Sequence, residues 1–213
     1  GNLPAAAERW QTAADIVKEA AGPDHPMRGS LLSDLGGLTA LGLENPDEGE
    51  PLMLEGLAIL EKTHGPKAPE LVEVLMDLAK TKLMLGDPAA AEPYATRALA
   101  IVDEAFEGKH PRRADPRMPM ADIFAATGRF EQAQALLNEA LEILDDPKTH
   151  PMQRADVQFA LARALAPTDA DAAGAMADAA IAGIADFEPG KPLRDAIEGW
   201  RGAVLNGGEH PPT

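Results

Sequence analysis

Apolar residues recur along this chain at intervals of three and four, in short blocks separated by proline and glycine. One block runs Leu71, Leu75, Leu78, Ala79, Leu83, Met84, and that spacing places its members on one side of an α-helix. The pattern predicts one set of helices over about 27–41, 69–85, 116–127 and 152–165. A second set is predicted over about 4–20, 47–63, 88–106, 130–144 and 169–186. A last helix, about 191–204, carries Leu193, Ile197, Trp200 and Val204 on one stripe and reads as a cap.

The blocks repeat. Gly56-Leu57-Ala58-Ile59 returns after 42 residues as Ala98-Leu99-Ala100-Ile101, and after 42 more as Ala140-Leu141-Glu142-Ile143. Gly49, Ala91 and Ala133 stand seven residues upstream of each copy. Pro26, Pro69, Pro111 and Pro151 lie 43, 42 and 40 residues apart, preceded by His25, Ala68, His110 and His150. A fixed period of this length marks stacked structural units in place of one central core. Each proline fixes φ and restrains the residue before it, so it marks a helix start.

Turns punctuate each unit at Gly42 to Asp47, Gly86-Asp87-Pro88 and Gly128-Arg129-Phe130. Glycine can take the left-handed conformation that ends a helix, and Asp47 and Asp87 are placed to cap the next one. Glu50, three residues after Asp47, completes a capping-box pattern. Each unit is then helix A, turn, helix B and loop, with units of about 1–25, 26–68, 69–110, 111–150 and 151–190, a cap over 191–204 and a flexible tail over 205–213. The first predicted helix is a B helix without its A partner. Its Ala6, Ala13 and Ile16 match Ala91, Ala98 and Ile101, and Gly1 stands where an inter-helix glycine belongs. On this reading the array begins in mid-unit, and the chain is expected to be a piece of a longer protein.

The small residues carry a resemblance. Gly36, Ala79, Ala121 and Ala162 recur in helices A, and Gly49, Ala91, Ala133, then Gly56, Ala98, Ala140, in helices B. Small side chains at these points allow close helix approach while Leu and Ile fill the flanks. This pattern resembles the tetratricopeptide repeat. Its length, Gly22-Pro23-Asp24-His25-Pro26, and the run Ala91-Glu92-Pro93-Tyr94-Ala95-Thr96-Arg97-Ala98-Leu99-Ala100-Ile101 resemble the kinesin-light-chain variety of that repeat. The resemblance implies an all-α solenoid, a right-handed superhelix of about four and a half helical hairpins plus the C-terminal cap, forming a single repeat domain over 1–204. It also implies a module that holds a peptide or partner domain, as do the arrays attached to bacterial signalling proteins. A regulatory C-terminal module of a larger enzyme such as a bacterial Ser/Thr protein kinase, and a sensor of small ligands or signal peptides, are alternative roles. The chain departs from the family at Thr39 and Lys82, where an aromatic is usual and only Phe124 keeps it. Ser33-Asp34 and Met76-Asp77 replace an asparagine pair, and Pro116 and Pro119 are expected to shorten or kink the third helix A.

Composition narrows the function classes. Apolar residues make up 45% and aromatics 4%, so alanine and leucine have to build the core. No run approaches the length of a membrane span, and no signal-peptide pattern opens the chain, so a cytoplasmic location is expected. Cysteine is absent, which removes disulfides, thiolate catalysis and Cys-ligated zinc. A formal net charge of −16 disfavours nucleic acid and anionic membranes and favours a basic protein or peptide. His25, His110 and His150 recur with the repeat before proline, His64 ends a B helix, and Asp145-Asp146 reads as a solvated pair. No catalytic residue, metal ligand or cofactor is expected, and the oligomeric state stays open.

In the tetratricopeptide fold, helices A line the concave wall. The repeat register then nominates Ser33, Glu73, Met76, Lys80, Met84, Asp115, Met118, Asp122, Phe159 and Arg163 as partner-binding residues, together with Ser30, Gly37 and Asp156. Acidic groups in this set suit Lys or Arg of a partner, and the methionines suit apolar anchors.

Overall fold

The structure is a computed structural model that describes residues 2–204. The expected tail over 205–213, with His210, and Gly1 lie outside the described residues. Among the described residues ten α-helices run in chain order: α1 (Leu3–Ala21), α2 (Pro26–Gly37), α3 (Pro46–His64), α4 (Val72–Met84), α5 (Pro88–Ala105), α6 (Arg117–Ala126), α7 (Phe130–Ile143), α8 (Pro151–Leu165), α9 (Ala170–Gly183) and α10 (Lys191–Val204). Helices A are α2, α4, α6 and α8, and helices B are α1, α3, α5, α7 and α9. Contacts divide the chain into two compact units, Gly1–Ala105 and Phe106–Thr213.

Local chemistry explains the helix starts. His25, His110 and His150 cap the segments that follow them, each Nδ1 accepting from the backbone N–H two residues on, of Met27, Arg112 and Met152, at 3.3 Å. The cap satisfies one of the donors that a helix N-terminus leaves without an intrahelical partner. Asp87 caps α5 by accepting from Ala90 N–H at 2.9 Å, and Asp169 caps α9 by accepting from Ala172 N–H at 2.9 Å. Gly86 and Gly128 end their helices A with φ of +74°.

The first hairpin departs from this scheme. Its small residues, Gly36 and Gly49, are one residue further apart than Ala79 and Ala91. The extra residue is absorbed in a π turn over Leu38–Gly42, where Leu43 N–H donates to Leu38 O at 2.9 Å. The left-handed residue is consequently Glu44, at φ +54°, and not Gly42. The expected cap at Asp47 is also corrected. Pro46 takes the first helical position, which moves the cap back to Asn45, whose side chain makes no capping bond. Asp47 and Glu48 sit inside the first turn instead, where their charge opposes the positive end of the helix dipole.

Pro116 and Pro119 shorten the third helix A as expected. α6 has only 10 residues, and a 3-10 turn over Pro111–Arg113 takes up the preceding segment. Pro119 falls in the first turn of α6, where no intrahelical donor is lost.

Close packing in the first unit runs through the small residues. A Cβ on Gly29 would lie 3.0 Å from Ile59 Cγ2 and 3.2 Å from Gly56 O. Between the next helices Leu71, Leu75, Leu78, Ala98 and Ile101 form one cluster. Lys82 stands where the repeat usually has an aromatic, and its ammonium meets Glu50 of α3 at 2.6 Å with both side chains mostly buried. That hydrogen bond raises the Lys82 pKa. In the second unit, Ala121, Ala133, Leu137, Ala140 and Leu161 share a cluster, and Ile197 of α10 is fully buried beside Ala162, Ala177 and Ala180. The opposite side of α10 is polar, with Lys191, Asp195 and Glu198 exposed and Lys191 paired with Asp195 at 2.5 Å. That polar face is what a capping helix requires.

Candidate functional site

The open surface of the helices A is set by register. Four residues past the repeat proline stand Ser30, Glu73 and Asp115, and eight past it Asp34 and Asp77. Eleven past it are Gly37, Lys80 and Asp122, and in α8, whose small residue comes one position later, the matching residues are Asp156 and Arg163. Of these, only Gly37 is buried.

Residues seven past the proline, or eight in α8, behave differently. Ser33 is 8% exposed, its hydroxyl donates to Gly29 O at 3.0 Å, and it packs against Gly56 of α3. Met76 packs on the cluster containing Ala98, and Met118 on the one containing Ala133 and Ala140. Phe159 packs beside Ala177 and Ala180 and meets Trp200 edge-on at 5.5 Å. Ser33 faces α3, and the other three side chains are partly buried against the core of their unit. The structure thus moves Ser33 from the expected wall into the interior and leaves Met76, Met118 and Phe159 at its border.

In the first unit the strip comprises Asp34, Glu73, Asp77 and Lys80, followed by the exposed Met84. Lys80 Nζ donates to Asp77 Oδ1 at 3.1 Å. Asp77 reaches across to α2, where a Cβ on Gly37 would stand 2.7 Å from its Oδ2. The absence of a side chain at Gly37 makes room for that carboxylate. Partial burial, reinforced by the charges of Glu73 and Asp77, raises the pKa of the Asp34 carboxyl from its ordinary value. Asp34 and Asp77 were legible in the sequence only as replacements for asparagines. The charge they bring to this strip depends on two helices from different repeats.

In the second unit Arg163 Nη2 donates to Asp122 Oδ1 at 3.1 Å, and its guanidinium lies 5.5 Å from the Phe159 ring centroid. One arginine thereby links α6 to α8 and covers the aromatic. Burial raises the Asp156 carboxyl. Phe124, which keeps the family aromatic, has the Arg129 guanidinium 4.3 Å from its ring centroid. Among the described residues no group of three acidic or histidine side chains is placed to hold a metal ion, and no helix is long and apolar enough to cross a membrane.

A family model described as "Tetratricopeptide repeat" matches residues 37–104 and again 90–146. No curated protein matches the sequence. The fold is similar to the nearly identical TPR-like repeats of a Podosopora anserina kinesin-light-chain protein, with a TM-score of 0.68 and 22% identity over 88% of this chain and 90% of that one. It is also similar to BtubC (BKLC) from P. vanneervenii, with a TM-score of 0.64 and 20% identity over 100% of this chain and 96% of that one. At these identities the likeness is one of fold.

Proposed function

The chain belongs to the tetratricopeptide repeat family, and from that premise we propose that it is a non-enzymatic interaction scaffold whose helix-A strip takes a basic peptide or partner segment. Such repeats generally serve as protein-binding scaffolds, so the open question is which surface binds and what it prefers. The observation that carries this reading is the charge of the strip in the first unit. The charges of Glu73 and Asp77 disfavour ionisation of Asp34, against the single cation of Lys80 in the strip. An ammonium or guanidinium from a partner relieves that repulsion, and the carboxylates are already held in place by the packing of α2 and α4. Met84, 48% exposed at the end of α4, offers an adaptable apolar contact beside them.

Fluorescence anisotropy of labelled peptides tests this. Lys/Arg-rich peptides containing one apolar anchor should bind in a salt-sensitive way, and acidic peptides of the same length should not. Reversing Glu73 and Asp77 to Lys should abolish binding. Reversing Glu19 and Glu142, which lie on helices B, should leave most of it. Equal losses from both pairs would reduce the effect to net charge and sink the proposal.

A further inference from the structure

We propose that Gly37 positions the strip for its partner: the room it leaves on α2 seats the Asp77 carboxylate of the following repeat against that helix, where Asp77 and Asp34 together meet a cationic side chain of the partner. The inference rests on the basic-partner reading above and adds the residue that sets the geometry. Gly37 differs from the other buried glycines of the first unit. A Cβ on Gly29, Gly36, Gly49 or Gly56 would meet a backbone carbonyl of the facing helix, so those positions are small because two helices touch there. Around a Cβ on Gly37 the three nearest atoms would be Oδ2, Cγ and Cβ of Asp77, at 2.7, 3.6 and 3.9 Å. The glycine makes room for the end of a side chain, and no backbone depends on it. The matching positions of the next two helices A carry Lys80 and Asp122, so the repeat itself does not require a small residue here.

Asp77 is held from two sides. Lys80 Nζ donates to its Oδ1 at 3.1 Å while Oδ2 lies toward Gly37, and the side chain is only 21% exposed. With a methyl group on residue 37 the carboxylate has to withdraw from α2, and Lys80 of its own helix is the cation it turns to. On the α2 side this chain leaves the charge unanswered. Arg28, the one cation in α2, is taken by Pro23 O and Glu55 at 3.0 and 2.7 Å. The second unit shows such a contact already filled. There Asp122 stands at the position of Gly37, and Arg163 of the next helix A brings its guanidinium to it at 3.1 Å. In the first unit the polarity is reversed: the next helix A brings the carboxylate, and Gly37 has no side chain to answer it. A lysine or arginine of the partner supplies the missing charge.

Anisotropy of a labelled Lys/Arg-rich peptide, titrated with the whole chain, compares the wild type with Gly37→Ala. Affinity should fall about two- to fivefold, the scale of one partly exposed ion pair. The thermal midpoint should hold or rise, because alanine is the better helix former and the new methyl displaces no backbone. Asp77→Asn should weaken binding by a similar factor in the wild type and by nothing further in the Gly37→Ala background. Asp34, followed by NMR at its carboxyl carbon, should titrate at lower pH in Gly37→Ala, since the Asp77 charge has moved away from α2. Unchanged affinity or an unchanged Asp34 titration in Gly37→Ala would overturn the inference and leave the basic-partner reading standing. So would a lowered thermal midpoint, which would make Gly37 a packing residue, or additive losses in the double variant. A wild type that binds no such peptide would overturn both.

Discussion

Gly36 of α2 and Gly49 of α3 approach so closely that neither has room for a side chain. A Cβ built on Gly36 would stand 2.7 Å from the Gly49 carbonyl oxygen and 2.6 Å from Met53 Cγ. The neighbour in the first contact is backbone, which cannot swing aside as a side-chain end can. Gly49→Ala should therefore destabilise the chain by about 1 to 3 kcal/mol through overpacking, even though alanine is the better helix former by about 1 kcal/mol. Gly199→Ala in α10 makes the opposite prediction. Beyond its own helical turn the added Cβ meets nothing within 4 Å among the described residues, so only propensity acts, and stability should rise by about 0.5 to 1 kcal/mol. Urea denaturation of both variants checks the pair, and a shift of the same sign in both would contradict the packing argument.

Asp34 gives the strip a pH signature. Folding raises its pKa, with burial the leading cause and Glu73 and Asp77 adding to it. The folded state therefore binds this proton more tightly than the unfolded state does. That contribution to stability is complete below the unfolded pKa and is lost as pH rises through the folded value. At neutral pH the fold carries the charge at a cost. Asp34→Asn should raise the melting midpoint at pH 7, and the gain should shrink toward zero as pH falls below the carboxylate range. Thermal melts of both proteins across that range test the sign, and a constant difference would exclude titration of Asp34 as the cause.

The histidine caps should be measurable one at a time. Replacing His25, His110 or His150 by Ala removes an Nδ1 acceptor from a helix start, at about 0.5 to 2 kcal/mol each. Asparagine at the same position should recover most of the loss by restoring an acceptor. His110 also stacks on Phe106 at 4.3 Å and His150 meets Phe187 edge-on at 5.2 Å. Their alanine variants should consequently cost more than His25→Ala. If asparagine recovers nothing at His25, the capping bond is not what that histidine contributes.

Much of the fold was written in the chain because its determinants are local. The prolines, capping residues and turn glycines act within a few residues of themselves, and the small residues repeat at an interval that stacking imposes. The one break in local register, the extra residue between Gly36 and Gly49, was present in the sequence spacing. Its resolution as a π turn depended on α2 and α3 keeping their glycines in contact. The candidate strip was less legible. Periodicity gives the apolar side of a helix but leaves its rotation uncertain by about one position, which on an α-helix is about 100°. Ser33, Met76, Met118 and Phe159 lie within that ambiguity, and only the packed neighbours decide that Ser33 is buried and the other three partly so.

Sequence alone thus determined the repeat, the order of the helices and the identity of the small residues between them, since each follows from short-range stereochemistry and spacing. Tertiary structure decided which acidic residues gather. Asp34 and Asp77 are 43 residues apart in the chain, and the Asp34 carboxyl is perturbed because α2 and α4 bring Glu73 and Asp77 beside it. A side chain's environment is set by what packs on it, and for Asp34 that includes a helix of the following repeat, which no local pattern contains.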